Sequence, residues 1–192
     1  PEIYEKVMSE NDEEKKEFWK QFKGPWSQLE DFKSLYPEFK DRPATCAFYP
    51  ADITKEEWDK ALAGMDEAEK ELMNDTYTVI IRENGKLKAV PYHVHYAEEL
   101  GEIFDHLENA AECVENELLK EYLIARAEGL VTGNYRDSEA LWVKMKDVPI
   151  DPVFGPFEVY ADGFLGLKAT YEAFLMVVDH EEGNRLKEIE NN

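Results

Sequence analysis

The sequence predicts an α+β fold, with a helical middle and a small, mostly antiparallel sheet, and three observations carry that prediction. Asn84-Gly85 stands between two β-branched and aromatic runs, Thr76 to Arg82 and Lys86 to Tyr92. That pair best tolerates the positive φ of a type I′ hairpin turn. From Ala97 the spacing changes to three and four, through Leu100, Ile103, Phe104, Leu107, Ala110, Ala111 and Val114, as on one face of a helix. After Pro149 the pattern turns extended again, so strands come from both sides of the helical stretch.

Each element has a local reason. Glu10 to Phe22 is charged, with apolar Phe18, Trp19 and Phe22, and reads as a short amphipathic helix that Gly24-Pro25 stops. Residues 25–53 carry Pro25, Pro37, Pro43 and Pro50 among Trp26, Phe32, Tyr36, Phe39 and Phe48. Those aromatics need burial, so the segment is irregular but packed, not a free linker. Thr54-x-x-Glu57 is a capping box that starts a helix over Lys55 to Ala63, and a second helix follows near Asp66 to Asn74. A further apolar stripe, Leu118, Leu119, Tyr122, Leu123 and Leu130, is out of phase with the first and places a break near Glu115-Asn116. A short helix is expected over Ser138 to Lys146 and a last one from about Glu181. Phe157 to Ala161 is a candidate strand and Ala169 to Val178 a better one, expected to join the Thr76–Tyr92 hairpin in one sheet. The chain then reads as one α+β region, 1–192: an N-terminal helix (1–24), the aromatic and Pro-rich segment (25–53), and helices plus sheet (54–192).

Composition excludes several function classes. The 192 residues hold 43 Asp+Glu against 22 Lys+Arg, a net charge of −21. Phosphate binding depends on Lys and Arg, so nucleic acid is not an expected partner, and an anionic membrane surface would be repelled. No window approaches the ~20 apolar residues of a membrane span. The acidic start is unlike a signal peptide. At 43% hydrophobic and 12% aromatic the chain can fill a core. Cys46 and Cys113 are too few for a disulfide framework and are expected as buried thiols of a reduced, cytoplasmic setting. The start at Pro1 without Met, and the end at Arg185 to Asn192 within a helical pattern, suggest processing or a piece of a longer protein.

Few motifs carry chemistry. His93-x-His95 would put two imidazoles on one side of a strand, a beginning of a zinc site or of a weaker, independent metal hydrolase, but no third ligand stands at a recognisable spacing. His180-Glu181 opens like a zincin helix, yet Asn184 and Arg185 occupy the positions where a second His would fall. His106 lies on the polar edge of a helix. No Walker-type or dinucleotide-type Gly-rich loop is present, and no Gly-x-Ser-x-Gly. The acidic runs Glu10–Glu14 and Asp66–Glu71 read as solvated helix faces.

One block stands apart. From Gly155 to Phe174, Gly155, Gly163 and Gly166 surround two aromatic–carboxylate pairs, Glu158 with Tyr160 and Tyr171 with Glu172. In an extended strand residues 158 and 160 share a face, and an anion beside a phenol can hold an amine and a carbonyl of one ligand. A Gly-rich hairpin with an exposed Glu is the plainer alternative.

The block, with Gly24-Pro-Trp26, Phe48 to Glu57, Thr76 to Arg82, Ala89 to Tyr92, Ser138 to Trp142 and Pro149-Ile150, resembles the dipeptidyl-peptidase III family of zinc exopeptidases, in particular its bacterial and Nudix-fused members. The resemblance implies one part of a two-lobed peptidase that removes dipeptides from peptide N-termini. It implies that Glu158 holds the substrate α-amine, that Tyr160 bonds the peptide near the scissile bond, and that Glu172 plays a supporting part. Two departures stand out: the loop from Asp162 to Gly166 is one residue longer than in the animal enzymes, and Lys168 replaces their Arg. The family's His-Glu-x-x-Gly-His zinc helix is absent from these residues, so no catalytic residue, metal ligand or cofactor is expected in this chain, with zinc expected in the full-length enzyme. The implied partners are short peptides and a zinc-carrying lobe, with self-association through any exposed lobe surface. The alternative is a non-catalytic module that binds peptides or a partner protein.

Overall fold

The computed structural model describes residues 2–9, 11–22, 24–146 and 148–190. The charged start forms two helices, α1 (Glu2–Ser9) and α2 (Glu13–Phe22), where the sequence predicts one beginning near Glu10. Asp12 makes the second start by accepting from the Lys15 amide at 3.0 Å. The aromatic segment contains the two-residue strands β1 (Trp26–Ser27) and β2 (Lys33–Ser34) and is otherwise irregular. Its rings pack edge-on, Trp19 on Phe39 at 5.9 Å and Phe18 on Tyr36 at 6.1 Å.

α3 (Lys55–Ala63) and α4 (Glu67–Asn74) follow at the expected places. Thr54 accepts from the Glu57 amide at 3.1 Å, but the Glu57 carboxylate grips Arg82 and does not reach back to the cap. The reciprocal box forms one helix later, between Asp66 and Glu69. β3 (Thr78–Glu83) and β4 (Lys86–Pro91) are an antiparallel hairpin. Asn84 (φ 52) and Gly85 (φ 75) both take the left-handed conformation that the I′ turn requires.

The helical middle comprises α5 (Tyr92–His95), α6 (Ala97–Glu112), α7 (Glu117–Thr132) and α8 (Arg136–Lys144). Asn116 caps α7, accepting from the Leu119 amide at 3.0 Å, which fixes the break where the two apolar stripes change phase. β5 (Ile150–Glu158), β6 (Thr170–Val177) and α9 (His180–Glu190) complete the chain.

Two expectations about strands are corrected. β5 runs over 150–158 and not 157–161. The single sheet is replaced by separate two-stranded sheets among the described residues: β1–β2, β3–β4 and β5–β6. The outer edge of β3 is already met by loop backbone, since the Ile80 amide donates to the Phe48 carbonyl at 2.8 Å. What ties the hairpin to β6 lies just before the strands: Ala169 N donates to Thr76 O (3.1 Å), and the Tyr92 hydroxyl donates to Ala169 O (2.7 Å).

The core has two parts. Leu100, Leu107, Leu119, Tyr122, Leu123 and Leu130 join the helices, while Phe48, Tyr49, Trp58, Met73, Ile80 and Tyr92 join the hairpin to α3 and α4. Tyr77, Tyr96 and Tyr171 pack against both. No described helix is long and apolar enough to cross a membrane.

Candidate functional site

The turn between β5 and β6 is built around Asp162, which is buried. Its Oδ1 accepts from the amides of Phe164 and Leu165, its Oδ2 from those of Leu167 and Lys168, at 2.9–3.2 Å. The Tyr49 hydroxyl donates to it as well, at 2.7 Å. Burial works to raise this carboxyl, but the Tyr49 hydroxyl and the surrounding amides hold it below the usual carboxylate range.

The far end of the loop is fastened by Lys168, which has 0% exposure. Its Nζ donates to Met73 O (2.7 Å), Asp75 O (2.6 Å) and Thr78 Oγ1 (2.8 Å), so each N–H of the ammonium has an acceptor. Burial pushes the amine down to about 8, against the pull of Asp75 and Asp162. Sequence reasoning missed both as anchors. The signal for Asp162 was its place at the head of a Gly-containing loop; Lys168 gave none, because its acceptors come from α4 and β3.

On this frame sit Glu158, Tyr160 and Glu172. The ladder pairs Glu158 with Thr170 and Gly155 with Glu172, with a bulge between Pro156 and Glu158. Residues 170 and 172 point the same way along β6, so Glu158 and Glu172 share one face of the hairpin. Tyr160 lies past the end of β5, so the expectation that Glu158 and Tyr160 project from one strand is corrected. The bulge and the Asp162 turn take Tyr160 out of the ladder. Its hydroxyl instead donates to Glu172 Oε1 at 2.9 Å while the side chain stays 63% exposed. The phenol is held above its ordinary value by that hydrogen bond first, then by the Glu172 charge, with Glu158 adding to it. The three residues therefore converge, with the Tyr160–Glu172 bond as the direct link.

The chemical character of the face follows. The Tyr160 proton is committed to Glu172, which leaves the phenol oxygen as an acceptor beside two carboxylates. Such a set suits a cation with several N–H donors.

The histidines do not compete with this site. His93 and His95 lie on helix α5, not on a strand; two residues on a helix point about 200° apart. His93 packs over Gly133, and His95 stands edge-on to Tyr96 at 4.7 Å. His106 and His180 are exposed. Among the described residues no group of three or more His, Cys, Asp or Glu could hold a metal ion. Cys113 is exposed and Cys46 half-buried, which corrects the expectation of two buried thiols: Cys113 closes α6 where the chain turns through solvent.

The sequence model of peptidase family M49 matches residues 66–192, which hold all three site residues. The chain belongs to peptidase family M49. The M49 chain is similar to the solved structure of dipeptidyl-peptidase III from Caldithrix abyssi, at 34% identity and a TM-score of 0.87 over 98% of this chain and 36% of that one. Dipeptidyl-peptidase III from Corallococcus sp. strain EGB gives 33% and 0.85 over the same shares. Nudix hydrolase 3 of Arabidopsis thaliana is 28% identical over 195 residues, covering 87% of this chain and 25% of that protein. The M49 chain thus spans about a quarter to a third of the length of these relatives.

Proposed function

We propose that this chain is the peptide-binding portion of a dipeptidyl-peptidase III-like exopeptidase, acting in the cytoplasm, and that it grips the free amino terminus of a short peptide. The observation that carries the reading is the set of acceptors formed by exposed Glu158 and Tyr160 with half-buried Glu172 on one side of the β5–β6 hairpin. Glu158 makes no ion pair among the described residues and is exposed, so its charge is available to a ligand ammonium. A charge-assisted hydrogen bond of this kind contributes about 1.5–3 kcal/mol.

Tyr160 has two states in this reading. Bonded to Glu172 it presents only lone pairs to the ammonium. To donate to a peptide carbonyl it must release Glu172. Glu172 is then a positioning residue that holds the phenol ready. The described residues do not fit a zinc site, and the metal chemistry of the full-length enzyme would fall to other residues. This portion would contribute binding and register, fixing which peptide bond is presented.

The test is equilibrium binding of one peptide in free-amine and N-acetylated forms to the wild-type chain and to Glu158→Gln. A tenfold or larger preference for the free amine, lost in Glu158→Gln, is the expected result. Equal weakening of both peptides by Glu158→Gln contradicts the amine assignment. Because Glu158→Gln leaves nearly all of the chain's charge of −21 in place, loss of the preference in that variant separates this contact from the general attraction of a cation to the chain.

A further inference from the structure

Tyr160 bonds Glu172 while its own side chain is 63% exposed, so the place of its hydroxyl is set by the backbone beneath it. Tyr160 and Ala161 are the central residues of a tight turn, closed where the Asp162 amide donates to the Val159 carbonyl at 3.0 Å. The three residues that follow Tyr160 are then held by one stretch of the irregular aromatic segment. Arg42 Nη2 donates to Ala161 O at 2.9 Å, and the Tyr49 hydroxyl donates to Asp162 at 2.7 Å. A Cβ on Gly163 would lie 3.3 Å from both the Cα and the carbonyl oxygen of Ala44, so the two backbones are in close contact there. Residues 42–49 precede 66–192, the part that the M49 sequence model matches.

Of these contacts, Arg42 is the one made to the centre of the turn. Its guanidinium is held from three sides. Nη1 donates to Cys46 Sγ at 2.8 Å, Nη2 donates to Ala161 O, and the guanidinium carbon lies 3.4 Å from the centroid of the Phe32 ring. A planar fork fixes the angle between its two hydrogen bonds, whereas an ammonium can make either bond without fixing that angle. The backbone that presents the sulfur is strained, with Cys46 (φ 45) and Ala47 (φ 63) both in the left-handed region.

We propose that Arg42 is a positioning residue of the peptide site: by pinning the Ala161 carbonyl it fixes the turn from which Tyr160 reaches Glu172. This rests on the reading that Glu158, Tyr160 and Glu172 grip a peptide amine.

Two readouts on the full chain test it. The first is the Tyr160 phenol titration, followed by absorbance against a Tyr160→Phe reference in each background. Arg42→Met removes the fork and keeps an unbranched stem over Phe32. With Tyr160 released from Glu172, the phenol is expected to titrate lower than in wild type. Loss of the Arg42 charge acts in the opposite direction, so a fall reports the lost bond. Arg42→Lys keeps one donor for Ala161 and is expected to fall between the two. Gly85→Ala, which strains a residue with φ 75 in the β3–β4 turn, is expected to leave the phenol unmoved. The second readout is binding of a free-amine peptide, expected to weaken about fivefold in Arg42→Met. If Arg42→Met does not fold, Phe32→Leu, which takes the ring from beneath the guanidinium, carries the same expectations. An unmoved phenol in the folded variant, or an equal shift in Gly85→Ala, would overturn the proposal. Failure of the peptide reading looks different: the wild type then shows no preference for a free amine, while a phenol shift in Arg42→Met still supports Arg42 as the residue that places Tyr160.

Discussion

Lys168 is buried with two carbonyls and a hydroxyl as its hydrogen-bond partners, and this makes the M49 chain sensitive to alkaline pH. Its amine is lowered to about 8 from an ordinary 10.5. Below pH 8 it is protonated whether the chain is folded or not. Between 8 and 10.5 the folded chain has released the proton and the unfolded chain still binds it, so stability rises with pH through that window, by up to about 3 kcal/mol. Lys168→Arg keeps the charge and does not titrate. The difference between the wild-type and Lys168→Arg unfolding profiles is therefore expected to climb from pH 8 to 9.5; a flat difference contradicts the burial argument. At the same scale, Glu172→Gln leaves Tyr160 an acceptor but removes the charge that raises its phenol. The Tyr160 titration, followed by absorbance against a Tyr160→Phe reference, should then move down. Glu158, Tyr160 and Glu172 were legible as one block of sequence. Their partners were not, because Tyr160 meets Glu172 twelve positions on, across the loop 159–169, and what shapes that loop is the amide cage of Asp162.

At the scale of elements, local chemistry was readable wherever it closed on itself. Asn84-Gly85 demanded a hairpin and forms one, because the turn residues alone supply its geometry. A Cβ at Gly85 would meet nothing within 4 Å, so Gly85→Ala tests backbone strain with no steric term. Its expected cost is about 1–2 kcal/mol, measured by denaturant unfolding. β5 was illegible for the opposite reason: Pro152 and Pro156 argue against a strand, and are tolerated here because a two-stranded ladder leaves half of its backbone donors unpaired. The separation of the sheets was also beyond local reasoning, since it depends on Phe48, far back in the chain, meeting the edge of β3. The same limit put His93 and His95 on a strand when Tyr92 in fact begins a helix.

Across the whole molecule, apolar surface is left open at the end of the β5–β6 hairpin and along α9. Phe174, Leu175 and Met176 are exposed with Val177 (84%), and Leu186 with Ile189 (72%). A patch of this kind favours association. Sedimentation velocity is expected to show a weight-average coefficient that rises with concentration, and Leu175→Lys with Val177→Lys to suppress the rise. The similar proteins are far longer than this chain, and the role proposed for these residues is to hold the amino terminus of a peptide. That claim is met most directly by a crystal structure of the chain with a short free-amine peptide. The account predicts the peptide ammonium within hydrogen-bond distance of the Glu158 carboxylate, beside Tyr160 and Glu172. A peptide bound with its amine elsewhere, and Glu158 left in solvent, would contradict it.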